Sequence, residues 1–195
     1  NKVAAPNIIH TQKTDASYVS ITSGTNGATI YYKIGNGSYL EYKGTIPIKN
    51  DCTISAYAKK KGYVDSAATS KKITISLPQT PTVSLNTNKI IASGNTVNVH
   101  WNRDTMAASY TVTVMKDGVE WKKETVTAAL YTFNTDRESA SQYKVSVVAN
   151  NYVGSSGKSN EVSCETRLPL TVRFLDDDGS ELSVQSVDYG ANAVK

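Results

Sequence analysis

The chain has 195 residues, a formal net charge of +4 at pH 7, two cysteines, and twelve tyrosines against two phenylalanines and two tryptophans. It is rich in Thr, Ser, Val, Tyr and Ile, which favour strands, and no window holds a sustained helical apolar stripe. This excludes a helical bundle and predicts an all-β chain of one to three domains. The low cysteine content excludes the dense disulfide framework of small secreted domains, and with the Thr-, Asn- and Lys-rich composition it reads as a bacterial exported protein.

Pro6 precedes the first strand-like run. Strands are expected over 7–10, 17–22, 28–34, 39–42, 45–48, 53–59 and 67–76, divided by turn signals at 23–27, 35–37, 49–51 and Gly62. Seven strands in so short a stretch predict a compact β-sandwich over residues 1–77. Ile30, Tyr32 and Ile34 alternate onto the core face, which sends Tyr31 and Lys33 outward. The run Ala-Thr-Ile-Tyr-Tyr-Lys, the Gly-Asn-Gly-Ser that follows it, then Tyr42, Gly44, Ile46, the run 53–59, Gly62 and Ser66 carry a resemblance. The block is similar to the fibronectin III-like associated module at the C-termini of chitobiases and other β-hexosaminidases. Lys33 stands where that family has threonine, and Asn36 where it has aspartate.

Leu77-Pro78 and Pro81 mark a joint, because proline fixes φ and cannot donate to a ladder. Residues 78–168 follow as a second block. Val97, Val99 and Trp101 should face its core from one strand, Tyr110, Val112 and Val114 from the next, and Tyr143, Val145, Val147 and Ala149 from a third. Asp117-Gly118 signals a hairpin. The tryptophan on the first run and the tyrosines opening the others resemble a fibronectin type III domain, with Tyr143 at the tyrosine-corner position. Ala58, Gly62 and Ser66 in the first block correspond to Ala149, Gly154 and Ser159 in the second, an echo that points to two copies of a related architecture.

Arg167-Leu168-Pro169 ends the second block. Residues 169–195 read as a hairpin turning at Asp178-Gly179. Phe174, Asp178-Gly179, Leu182, Val187 and Tyr189-Gly190 resemble the opening of the β-grasp-like repeats of internalin B and the related Listeria–Bacteroides surface repeats. The fold class expected is therefore all-β: two immunoglobulin-like or fibronectin III-like sandwiches in tandem, then a partial β-grasp-like hairpin. The first residue is Asn, which is expected of a processed chain or a piece of a longer multidomain one. No apolar run is long enough to cross a bilayer, so no transmembrane segment is expected here.

Residues 1–77 hold ten lysines and four acidic residues, whereas 78–168 are nearly neutral and 169–195 are acidic. Lysine on exposed sheet edges guards against edge pairing and keeps a module soluble. No arginine–aromatic interleaving accompanies the lysines, so a nucleic-acid partner is not expected. Catalysis is not expected either. His10 and His100 fall in different blocks, neither cysteine has a nearby histidine, and no paired carboxylates or glycine-rich phosphate loops occur. Cys52 and Cys164 fall in different blocks and should be unpaired. Asp176, Asp177 and Asp178 precede Gly179, but Glu181 comes too early for a calcium loop, and turn chemistry explains the run; no metal or cofactor is expected.

Outward aromatic residues are the remaining candidates, since exposed rings stack on sugars or anchor protein partners. Tyr39, Tyr42 and Tyr63 should lie near Tyr31, and Trp121 on a short edge strand. The expected ligand surface comprises Tyr31, Lys33, Tyr39, Lys59, Lys60 and Lys61, facing a polysaccharide or a host or cell-wall protein. The function expected is a non-catalytic spacer or adhesion module of an exported bacterial protein, extracellular at the cell surface or in the cell wall. The alternative is an accessory region of a secreted glycoside hydrolase.

Overall fold

The computed structural model describes residues 1–87 and 89–194, which hold strands and no helix. They form two compact units: Asn1–Leu77 with Asn151–Val153, and Pro78–Asn150 with Gly154–Lys195.

The first unit is a sandwich of seven strands: β1 (Asn7–Gln12), β2 (Ser17–Thr22), β3 (Thr29–Ile34), β4 (Leu40–Glu41), β5 (Ile46–Pro47), β6 (Cys52–Lys59) and β7 (Thr69–Ile73). One sheet has the order β1-β2-β5 and the other β4-β3-β6-β7. Every expected strand is present, because each apolar–polar alternation is bounded by turn residues. Alternation along β6 buries Ile54, Ala56 and Ala58 completely and sends Ser55, Tyr57 and Lys59 to the other face. Ile54 and Ala56 join Val19, Ile21, Ile46, Ile48 and Ile73 in one core, with Ile30, Tyr32 and Tyr42 packed at the margin.

Two expectations change here. Ile34 shares the core face with Tyr32 but is 44% exposed. It is the last residue of β3, opposite Ile54 at the rim of the sheet, and the chain turns away at Gly35. Tyr42 is not part of the outer surface. Its ring meets Tyr32 edge-on at 6.2 Å, and its hydroxyl accepts a hydrogen bond from the Ile21 backbone N–H at 3.1 Å. It thus ties β2 of one sheet to the inner face of the other.

The second unit contains β8 (Val83–Leu85), β9 (Ile90–Ala92), β10 (Thr96–Trp101), β11 (Ser109–Lys116), β12 (Val119–Val126), β13 (Leu130–Asn134), β14 (Gln142–Asn150) and β15 (Val162–Arg167), followed by β16 (Leu170–Leu175) and β17 (Glu181–Val187). Its sheets run β13-β10-β8 and β12-β11-β14-β15-β9, and β16-β17 forms a separate hairpin. Set β9 aside, and the strands follow the same order as in the first unit, position for position. Both are immunoglobulin-like sandwiches, three strands in one sheet and four in the other. β9 adds a parallel pairing to β15 that the alternation pattern did not reveal.

The core of this unit is larger. Val97, Val99, Tyr110, Val112, Val114, Tyr143, Val145, Val147 and Ala149 are all at most 2% exposed, as the alternation predicts. Trp101 meets Tyr110 edge-on at 5.3 Å. Tyr143 occupies the tyrosine corner, its hydroxyl accepting from the Asp136 backbone N–H at 2.9 Å. Asp117 and Gly118 take φ of 50° and 84°, the left-handed pair that a two-residue hairpin turn requires. Trp121 lies on β12, the edge strand of its sheet, and is 37% exposed, while its ring meets Tyr143 edge-on at 5.4 Å and Phe133 at 6.0 Å.

The terminal hairpin pairs Leu170–Val187 through Phe174–Ser183 in register, then bulges between Phe174 and Leu175. Gly179 takes φ of 83° in the turn, whose Asp178 carboxylate accepts from the Ser180 backbone N–H at 2.8 Å. The aspartates are thus used as turn residues.

Candidate functional site

The outer face of the β4-β3-β6-β7 sheet is set by register. Tyr31 on β3 lies directly opposite Tyr57 on β6, and Glu41 of β4 lies on the other side of Tyr31. The two tyrosine rings stack at 5.5 Å with 18° between their planes. Tyr39, just before β4, meets Tyr57 edge-on at 4.8 Å. Such aromatic pairs add about 0.5–1.5 kcal/mol beyond the area they bury.

Lysines flank this cluster on both sides. β3 and β6 are antiparallel, so stepping two residues onward from each tyrosine leads in opposite directions. Lys33 therefore stands on one side of the tyrosine pair, opposite Ser55, and Lys59 on the other, opposite Thr29. The Lys33 Nζ sits 5.3 Å from the Tyr39 ring centre, and the Lys59 Nζ 5.4 Å from that of Tyr57. Lys59 also pairs with Asp65 at 3.1 Å, which raises its pKa. Exposed cation–π contacts and exposed ion pairs are weak, so an anionic ligand can recruit these ammonium groups at small cost. Hydroxyls continue the face, with Ser55 and Ser70 sharing a hydrogen bond at 2.7 Å.

Of the six residues expected to form a surface, this face unites Tyr31, Lys33, Tyr39 and Lys59. Lys60 and Lys61 lie beyond the end of β6 in the turn that leads to Gly62. There Lys60 donates to the Asn26 carbonyl at 2.8 Å and lies over the Tyr63 ring at 5.0 Å, a separate arrangement. Tyr57 was missed. Its signal was the same alternation that buries Ile54, Ala56 and Ala58, since one outward step from each core residue gives Ser55, Tyr57 and Lys59.

The remaining reactive side chains are held in structural roles. His10 shares a hydrogen bond with Ser17 at 2.7 Å, and His100 with Ser84 at 3.0 Å, each across adjacent strands. Ser17 is 4% exposed. Burial, reinforced by the Lys71 charge, lowers the His10 pKa. Both cysteines are free thiols. Among the described residues, no group of three or more His, Cys, Asp or Glu side chains is placed to hold a metal, and no helix is long and apolar enough to cross a membrane.

No family model matches the chain, and no curated protein matches it. Among solved structures it is similar to the FN1–FN3 domains of chicken CNTN1, at 16% identity over 89% of this chain and 70% of that one, with a TM-score of 0.41.

Proposed function

We propose that the chain is a non-catalytic spacer and adhesion region of an exported bacterial surface protein, standing outside the cell at the surface or in the wall. In this reading, residues 1–77 form a chitobiase C-terminal-like module, 78–168 a fibronectin type III domain, and 169–195 the opening of a surface-protein β-repeat. The observation that carries it is the repeated strand order. The chain spends most of its length building one sandwich twice, and a flat face of tyrosine and lysine is what the first copy leaves exposed.

The test is digestion of intact cells of the source organism with a protease, followed by mass spectrometry of the released peptides. Peptides from this chain are expected in the supernatant of intact cells. Their appearance only after lysis overturns the reading.

A further inference from the structure

The adhesive reading leaves open what the tyrosine–lysine face takes. Three features of the face bear on the chemistry of its ligand. The first is apolar surface at ring edges: Tyr31, Tyr57 and Tyr39 form one contiguous patch, and Tyr39 is 39% exposed. The second is charge. Lys33 and Lys59 bracket the patch diagonally, Lys72 follows opposite Thr53, and the first 77 residues hold ten lysines against four acids. The third is extent. The rows holding Lys59 and Lys33 are four residues apart along β3, or about 14 Å at the rise of a strand.

A compact anion satisfies one lysine and leaves the aromatic patch unused. A neutral glycan uses the patch and leaves the lysines unused. A flexible polyol phosphate offers charge but no flat apolar ring face. A polymer of pyranose rings bearing carboxylates offers both chemistries in alternation along an extended chain, on the scale over which the lysines are spaced. We infer that this face binds an acidic polysaccharide, its sugar rings lying against Tyr31, Tyr57 and Tyr39 and its carboxylates meeting Lys33 and Lys59. The assignment rests on the adhesive reading above and names its ligand class.

The test is calorimetric titration of the full chain with a hexamer of galacturonic acid, and with cellohexaose as the neutral counterpart. Three double or single variants accompany it: K33Q/K59Q, Y31L, which keeps apolar packing against Tyr57, and K122Q/K123Q on β12 as a charge-matched control. Thermal melts verify that each is folded. The acidic hexamer is expected to bind and cellohexaose not. The Kd should rise about tenfold in K33Q/K59Q and on raising salt from about 20 to about 200 mM. It should also rise in Y31L and stay unchanged in the control pair.

An equal loss in the control pair, or a Y31L Kd equal to wild type, shows plain charge attraction and overturns the assignment. So does tight binding of cellohexaose. Absence of glycan binding by a chain that protease still releases from intact cells removes the ligand and leaves the surface reading standing. Absence of both removes the two together.

Discussion

Ser66 engages both backbone groups of Ala58. The Ala58 N–H donates to the Ser66 Oγ at 2.8 Å, and the Ser66 N–H donates to the Ala58 carbonyl at 3.0 Å. The ladder between β6 and β7 reaches only Ala56, so without the serine Ala58 would have open groups at a fully buried site. The second unit repeats the device twice. β15 begins at Val162 opposite Val145. The next two inward positions of β14 are clasped by separate serines, Val147 by Ser159 and Ala149 by Ser156. β15 pairs with only four residues of the nine-residue β14, whereas β7 pairs with five of the eight-residue β6, and a second serine covers the longer uncovered stretch.

Ser159 is 7% exposed, and Val147 is completely buried. Ser159→Ala therefore leaves a buried N–H without its acceptor, which costs about 1–3 kcal/mol. Both tryptophans, Trp101 and Trp121, lie in the second unit, so tryptophan fluorescence in urea reads this loss directly. A midpoint equal to wild type contradicts the role assigned to the clasp.

The sequence echo between Ala58, Gly62, Ser66 and Ala149, Gly154, Ser159 was real but misaligned at its end. Ser156, not Ser159, is the counterpart of Ser66, because it clasps the matching alanine. Spacing alone could not choose between two serines three residues apart; register could. The strands themselves were legible, since each alternation is fenced by Gly, Asn, Asp or Pro. Less legible were features set across strands: the parallel β9–β15 pairing, the inward turn of Tyr42, the contact of the Trp121 ring with Tyr143 and Phe133, and the stacking of Tyr31 on Tyr57. Aromatic side chains near strand ends lean where a cavity accepts them, and that depends on the opposite sheet.

Unequal cores predict sequential unfolding. Among the described residues, fifteen buried apolar side chains form the core of the second unit and eight that of the first. Burying each is worth about 1.5–3 kcal/mol before conformational entropy is subtracted. The first unit should therefore unfold at lower urea. Circular dichroism should show a first transition during which tryptophan fluorescence stays flat. Ile54→Ala, at a site with no exposure, should move that first transition down by about 2–5 kcal/mol and leave the second in place. A single coincident transition by both probes contradicts this order.

Acid should weaken the second unit through two carboxylates. Asp136 is held below the ordinary aspartate range first by its hydrogen bond from Lys116, at 2.7 Å, and then by the Glu138 backbone N–H. Asp117 is lowered first by the backbone N–H of Gln142, at 2.8 Å. A depressed folded pKa contributes stability that is present above the unfolded value, near pH 3.9, and is lost as pH falls through the folded value. The tryptophan-monitored midpoint should thus fall below about pH 4. Asp136→Asn keeps the backbone bonds and removes the charge. Its curve should lie below wild type at pH 7 and approach it as pH falls through the lowered folded value of Asp136. A constant gap between the curves contradicts the assignment.

The two thiols should report the two units separately. Cys164 is 2% exposed on β15, and burial pushes its pKa up to about 11. The thiolate is the attacking species, so at pH 8 only roughly a thousandth of this group is reactive even where reagent reaches it. Cys52 opens β6 and is half-buried; burial first and the Asp51 charge second raise its pKa as well, but its side chain is within reach of solvent. Iodoacetamide at pH 8 should modify one thiol per native chain, and peptide mapping should place it at Cys52. Modification of Cys164 should begin only at the urea concentration where tryptophan fluorescence changes, because the core must open to release it. Equal labelling of both thiols in the native chain would show that β15 opens independently of the sandwich around it.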